Sequence, residues 1–343
     1  MSDSRNGQWL LVARPTGMVQ ESDFEYREEP VPAVGEGDYL ARTLYVSVDP
    51  AQRGWMNADP GYMPPIPLGE VMRAGTISQV VESRHPEYAV GDIVSGFFGW
   101  QEYALGGQGL APAQKIAVEH PLPRYLGALG TTGLTAYFGL LEVGGLASGE
   151  TVLVSGAAGA TGSVAAQIAK IKGCRVIGIA GGAEKCGWLT DELGLDAAID
   201  YKGEDVDARL ATLCPAGVNV YFDNVGGSIL ESALAHMAPR GRIACCGMIA
   251  GYNAATPEPA PRNLFLLIAR RISMTGFLVM DFAPHFPEAR RDLSTWLSDG
   301  SLKAREDVQE GFDNIPKTFL RLFSGRNIGK QVLKIVDPPI AIT

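Results

Sequence analysis

Hydrophobic spacing divides this chain into two kinds of sequence. Up to about residue 124, helical periodicity is scarce, and glycine and proline punctuate short apolar runs such as 39–48, 75–81 and 92–98. Runs of that length between turn formers predict the strands of a small, barrel-like domain. From residue 125 the pattern changes. Residues 126–141 have helical spacing, and short β-branched runs then alternate with helical stretches. The predicted strands are Thr151–Ser155, Arg175–Ala180, Ala197–Asp200, Val218–Asp223, 242–246 and 272–275, with helices such as 227–237 between them. Six strands with intervening helices predict an α/β fold with a doubly wound parallel sheet. After a helix at 287–299, the tail 306–336 reads as a return with a helix near 315–322 and a final strand. The expected domains are residues 1–124 with 306–343, and residues 125–305.

The first strand of the alternating half runs directly into Gly156-Ala157-Ala158-Gly159-Ala160-Thr161-Gly162. Behind it Val164, Ile168 and Ile171 recur at i, i+4 and i+7, as on the buried stripe of a helix. A tight turn there would aim backbone N–H groups and the positive end of the helix at a pyrophosphate. Glycine spacing alone is a weak sign, because a packing turn needs small residues too. Strand, turn, helix and second strand in succession point to a Rossmann unit binding a nicotinamide dinucleotide. In an NAD site, an acidic residue usually ends the second strand and accepts from the ribose hydroxyls. Here that strand ends in Ala180-Gly181-Gly182-Ala183, with no carboxylate before Glu184. Lys185 follows, and Tyr201 stands just past the third strand. Small residues, one lysine and one tyrosine suit a 2′-phosphate, which a carboxylate would repel, so NADP is favoured. The plainer alternative makes Lys185 a solvated helix residue and Tyr201 a rim aromatic.

At 343 residues the chain exceeds one comfortable core, which agrees with two domains. Its net charge of −9, with no block of lysine and arginine, makes nucleic acid an unsuitable partner. The opening residues Met1-Ser2-Asp3-Ser4-Arg5 lack a basic region followed by an apolar segment, so no signal peptide is expected. No apolar run reaches bilayer length, so no membrane association is expected. Cys174, Cys186, Cys214, Cys245 and Cys246 are odd in number and lack framework spacing, which fits a reducing cytoplasm.

The chain resembles the medium-chain dehydrogenases/reductases, and among them the zinc-independent prostaglandin reductase (leukotriene B4 dehydrogenase-like) family. The resemblance runs nearly end to end. It rests on Ser47-Val48-Asp49-Pro50, on Gly133-Leu134-Thr135-Ala136-Tyr137-Phe138-Gly139-Leu140 and on Ala157-Ala158-Gly159-Ala160-Thr161-Gly162-Ser163. It continues through Phe222-Asp223-Asn224-Val225-Gly226-Gly227, Gly251-Tyr252-Asn253 and Asn327-Ile328-Gly329-Lys330. It implies a GroES-like barrel for the β-rich domain, and NADPH-dependent reduction of the C=C bond of α,β-unsaturated ketones and aldehydes. It places Gly159, Ala160, Thr161, Gly162 and Gly181 along the cofactor, with Lys185 and Tyr201 on the 2′-phosphate. Asn224, Cys246 and Gly247 would lie near the ribose or nicotinamide, and Tyr252 and Asn327 would close over the cofactor. Asn224 is also compatible with a helix cap. A homodimer formed through edge strands of the nucleotide domain is implied as well.

An alcohol dehydrogenase of this superfamily needs zinc held by cysteine, histidine and carboxylate. No cysteine precedes Cys174, His85 and His120 are isolated, and Cys245 and Cys246 would point to opposite faces of a predicted strand. No metal is expected. Reduction of an enone instead needs a donor at the carbonyl oxygen, where negative charge develops. Relatives carry a substrate-contacting tyrosine near Tyr62, in the loop-like segment 55–62, which makes Tyr62 the candidate catalytic residue. An ordinary surface-loop tyrosine is the alternative. Met280 stands where family members often have a second tyrosine, exchanging a hydroxyl for a thioether. Ala51-Gln52-Arg53 follows Ser47-Val48-Asp49-Pro50, where an aromatic residue is common at the first of these three positions. The pocket is therefore expected to differ from that of the prostaglandin reductases, with Arg53, Met63, Trp100 and Met280 as candidate lining and at least one of Phe97 and Phe98 packing the barrel. Two other readings stay open: a quinone reductase, and a non-catalytic NADPH-binding protein.

Overall fold

The structure is a computed structural model and describes residues 5–107, 111–256 and 261–342. Met1 to Ser4, read above for a leader, lie outside the described residues. The chain divides into two compact units: residues 1–126, 306–327 and 331–343, and residues 127–305 with 328–330.

The first unit opens with β1 (Arg5–Leu11) and β2 (Phe24–Pro30), an antiparallel hairpin. Its main sheet uses β3 (Tyr39–Ser47), β4 (Thr76–Ser83), β5 (Ile93–Gly96), β6 (Tyr103–Leu105) and β7 (Gln114–Lys115). A one-and-a-half-turn helix, α1 (Ala51–Trp55), follows β3. In the second unit, α2 (Thr131–Phe138) precedes a Rossmann sheet. Its strands are β8 (Thr151–Ser155), β9 (Arg175–Ala180), β10 (Ala197–Asp200), β11 (Val218–Asp223), β12 (Met237–Cys245) and β13 (Ser273–Gly276). Between them run α3 (Ala160–Ile171), α4 (Ala183–Gly187), α5 (Val206–Leu213), α6 (Gly227–His236) and α7 (Phe265–Arg270). After α8 (Phe286–Ser298) the chain returns through β14 (Glu306–Glu310), α9 (Ile315–Phe323) and β15 (Lys330–Lys334).

The Rossmann sheet is wholly parallel, in the order β10-β9-β8-β11-β12-β13. Strand β8 is central, and Val152, Leu153 and Val154 are completely buried, as expected of a strand covered on both faces. The order reverses between β8 and β11. A crevice at the carboxyl ends of these strands is the usual ligand position in open α/β sheets. In the first unit, the seven-stranded sheet runs β14-β15-β3-β4-β5-β7, with β6 also on β3. Its core gathers Leu11, Val46, Met56, Trp100, Ile315 and Phe319.

Two predicted elements change. The helix expected over 126–141 begins only at Thr131, because residues 127–130 make a tight turn in which the Gly130 and Gly133 amides both donate to Gly127 O. Glycines favour such turns over helix. Past Phe138 the helix widens to i→i+5 bonding, with Gly144 N donating to Gly139 O. Strand β12 ends at Cys245, so Cys246, expected within the strand, lies just beyond it.

Candidate cofactor and substrate sites

The glycine turn after β8 is shaped by close packing. Gly156 has φ +58°, and a β-carbon on Gly162 would lie 2.3 Å from Gly156 O. Only a residue without a side chain lets α3 start this near the strand. Gly159 occupies the N-cap of α3 and no side chain caps that end. The first-turn amides, at Ala160, Thr161 and Gly162, are therefore turned outward at the positive end of the helix, as a phosphate needs. The tail segment 328–330 lies against this turn: Gly329 N donates to Ala158 O at 2.8 Å, and Gly159 and Gly329 form a β-bridge. Gly329 has φ +74°, and a β-carbon there would lie 2.1 Å from Arg305 O. Asn327 immediately precedes this segment in the chain.

At the end of β9, Gly181 packs under the ring of Tyr201, with Lys202 alongside; a β-carbon at Gly181 would lie 2.8 Å from Tyr201 Cε1 and 3.0 Å from Lys202 Cε. Lys185 lies on α4, partly buried. Sequence reading missed Lys202, whose only sign was its place directly after Tyr201. It also left Asp200 unweighed. Asp200 pairs with Ala180 across β10 and β9, and its Oδ1 accepts from Gly182 N at 2.7 Å and Lys202 N at 3.0 Å. Those amides, Gly182 first, hold its carboxyl below the usual range. The carboxylate is thus bonded back into its own turn, while Lys202 and the Tyr201 ring border Gly181.

The third part of the site is organised by Asp223, buried at the end of β11. Its Oδ1 accepts from Tyr221 Oη, Ser155 Oγ, Val225 N and Gly226 N, at 2.7, 3.0, 3.0 and 3.0 Å. Its backbone carbonyl accepts from Cys246 N at 2.8 Å and Gly247 N at 3.1 Å. One residue therefore ties β8, the Asn224 turn and the loop after β12 together. Asn224 donates Nδ2 to Ser155 O at 2.7 Å and receives Ser155 Oγ on its amide at 3.0 Å. It is not the cap of α6, whose N-cap is Gly226. Its Oδ1 meets no donor among the described residues. Tyr252 folds back so that its hydroxyl receives Met248 N, and it stands near Gly247. Burial, then the Asp223 charge, pushes the Cys245 thiol up to about 11 and that of Cys246 up to about 12. These thiols stay protonated at neutral pH.

In the first unit Tyr62 is half exposed, and its hydroxyl oxygen accepts from Trp55 Nε1 at 2.7 Å. Trp55 itself is buried, with its ring edge-on to Phe97. Arg73 Nη1 donates to Pro64 O at 2.9 Å and to Met63 Sδ at 3.2 Å. Arg73 and Phe97 also border an open groove of about 620 Å³. Two expected pocket residues are not placed as pocket lining. Trp100 is fully buried between Phe24 and Phe319, because the barrel core closes around its ring. Arg53 is likewise buried, spending its guanidinium on Asn57 Oδ1, Pro15 O and Gly17 O. Phe98 packs the interior with Tyr39 and Val80, whereas Phe97 reaches the groove. Met280 is 62% exposed on a turn of the second unit after β13. Among the described residues, no group of three or more His, Cys, Asp and Glu is arranged to hold a metal ion.

Comparison with known proteins agrees with this architecture. Residues 7–112 match the family described as the N-terminal domain of oxidoreductase, and residues 160–296 that described as zinc-binding dehydrogenase. The NADPH-dependent curcumin reductase of Escherichia coli K12 is 41% identical, over 96% of this chain and 97% of the relative. The NADP(+)-dependent 2-alkenal reductase of Nicotiana tabacum is 39% identical, over 96% of this chain and 97% of its own. The crystal structure of CurA in complex with NADPH from Vibrio vulnificus superposes with a TM-score of 0.92 at 38% identity, covering 97% of this chain and all of that one. The chain belongs to the medium-chain dehydrogenase/reductase superfamily, in the prostaglandin reductase family that its sequence resembles.

Proposed function

We propose that this protein is an NADPH-dependent reductase of the carbon–carbon double bond of α,β-unsaturated ketones and aldehydes. The observation that carries the reading is the likeness, over 96% of the chain, to relatives named for NADPH and for curcumin or 2-alkenals. The site fits the cofactor: the cradle at Gly159 and Gly162 that a β-carbon would fill, the outward amides of α3, and the cation of Lys202 beside Gly181.

The second unit would hold NADP, and the first would be the substrate and catalytic domain. Gly159, Ala160, Thr161 and Gly162 would take the pyrophosphate, and Gly181, Lys185, Tyr201 and Lys202 the 2′-phosphate end. Asn224, Cys246, Gly247, Tyr252 and Asn327 would hold the ribose and nicotinamide. When bound, the cofactor supplies a hydride to the β-carbon of the substrate. Tyr62 would donate to the carbonyl oxygen as charge develops there, and Met63, Phe97 and Met280 would offer apolar contact. The chemistry would need no zinc, since Tyr62 would supply the donor at the carbonyl oxygen. The five cysteines form no disulfide, in keeping with a reducing cytoplasm. No helix among the described residues is long and apolar enough to cross a membrane.

The homodimer belongs to the same proposal. Strand β13 is the edge of the Rossmann sheet and all four of its residues are exposed. Met274 on this strand and Leu264, Phe265 and Ile268 just before it in the chain are 40, 41, 72 and 73% exposed. An open edge with that much apolar surface suits pairing with a second copy of the chain.

The test is loss of NADPH absorbance with a panel of 2-alkenals, aryl enones and a benzoquinone, repeated with NADH. Turnover of alkenals or enones that is selective for NADPH and yields a saturated carbonyl supports the proposal. Turnover of the quinone alone makes the protein a quinone reductase. Tight NADPH binding without turnover of any of them favours a binding protein.

A further inference from the structure

Tyr62 does not stand alone on its loop. Its oxygen accepts the Trp55 indole N–H at 2.7 Å and its own proton is donated to none of the described residues. An acceptor already filled from one side leaves the hydroxyl proton directed outward, on a side chain that is 50% exposed. The donor is fixed in place. Trp55 ends α1, is 8% exposed, and sits in the barrel core beside Phe97.

A second group braces the same loop. Arg73 forms no ion pair among the described residues; it braces Met63 Sδ and Pro64 O, the two residues after Tyr62. Its own backbone is pinned by Gln52, fully buried, whose Nε2 donates to Arg73 O and to Ser47 O at 3.2 Å each and whose Oε1 receives Asp49 N at 3.0 Å. The Ser47-Val48-Asp49-Pro50 turn thus fixes both supports, α1 with Trp55 on one side and Arg73 on the other.

We propose that Trp55 and Arg73 are positioning residues of the reaction, holding Tyr62 as the proton donor to the substrate's carbonyl oxygen. The inference rests on the enone reductase reading. Hydride addition at the β-carbon moves the electron pair of the C=C bond toward the carbonyl oxygen. The Tyr62 O–H bond breaks as its proton bonds to that oxygen, giving the enol, which tautomerises to the saturated carbonyl compound. The charge left on Tyr62 faces the Trp55 N–H donor, and water at its exposed side returns the proton. A hydrogen bond strengthens as its acceptor gains charge, so Trp55 acts more on the transition state than on the ground state, while Arg73 holds the loop that carries Tyr62.

A double-mutant cycle on one enone tests this, with Trp55→Phe, which keeps a ring and removes the N–H, Tyr62→Phe, and both together. Trp55→Phe is expected to lower kcat roughly threefold to tenfold with little change in KM, the worth of one hydrogen bond. In the Tyr62→Phe background the same change should cost less than about twofold. Arg73→Gln should follow the same pattern, and Arg73→Lys should recover most of the loss; this pair carries the test alone if Trp55→Phe fails to fold. Equal losses with and without the Tyr62 hydroxyl would mean that both residues only support the fold, overturning the inference and leaving the enone reductase reading intact. Full turnover by Tyr62→Phe would overturn it by removing Tyr62 from the chemistry. Absence of turnover with any enone would sink the functional reading itself.

Discussion

The Tyr221 hydroxyl donates to Asp223 Oδ1 at 2.7 Å inside the Rossmann unit, with both residues almost completely removed from solvent. Among the described residues that carboxylate has no ion pair, and its Oδ1 depends on four donors from three parts of the chain. Tyr221→Phe removes one of them and should lower unfolding stability by about 1–3 kcal/mol. Asp223→Ala should cost more, since it removes the acceptor of all four donors. Urea midpoints will measure both, and an unaffected Tyr221→Phe would show the hydroxyl to be dispensable.

Discrimination between cofactors should reside at the end of β9. Lys185→Ala and Lys202→Ala are each expected to weaken NADPH roughly tenfold or more while leaving NADH nearly unchanged, as loss of one charge-assisted contact of about 1.5–3 kcal/mol implies. Calorimetric titration with both dinucleotides will decide. Parallel losses for NADPH and NADH would place the 2′-phosphate elsewhere.

Glycine substitutions should separate by the space each finds. Gly162→Ala puts a methyl group 2.3 Å from Gly156 O and should abolish tight cofactor binding or fold poorly; Gly329→Ala, at φ +74° and 2.1 Å from Arg305 O, should be as damaging. Gly54→Ala, on α1 with nothing within 4 Å, should be neutral or stabilise by up to about 1 kcal/mol. Thermal melts of the three variants give the comparison.

Alkaline pH should destabilise the fold through the thiols. Cys245 and Cys246 hold their protons to about 11 and about 12, because burial and then Asp223 oppose the thiolate, whereas the unfolded chain releases them near 9. The unfolded state binds fewer protons in that window, so the contribution is complete below pH 9 and is lost as pH rises toward 11 to 12. Replacing both by serine should flatten this part of the stability curve. Neither thiol should react quickly with iodoacetamide at pH 8.

Self-association should depend on the exposed edge. Ile268→Asp with Phe265→Asp introduces charge into the apolar surface beside β13 and should convert a dimer to a monomer in sedimentation velocity. A wild-type protein that sediments as a monomer would remove the interface.

The alternating half of the sequence determined its own fold, because each β-branched run and each helical stripe is a local pattern that only a layered parallel sheet can bury. The glycine turn after β8 was legible for the same reason: its shape is carried by neighbours in sequence. Trp100 and Arg53 were misread as pocket residues since side-chain type does not say whether a ring faces a cleft or a core. Lys202, Gly329 and the Asp223 network were hidden too. Their partners lie far off along the chain, Ser155 being bonded to Asp223 and Gly329 to Ala158. The sequence by itself determined which elements form and which cofactor chemistry they serve. Only the tertiary structure decided which side chains are exhausted by packing and hydrogen bonds and which stay available to a ligand, because burial and bond geometry arise from contacts that no local spacing encodes.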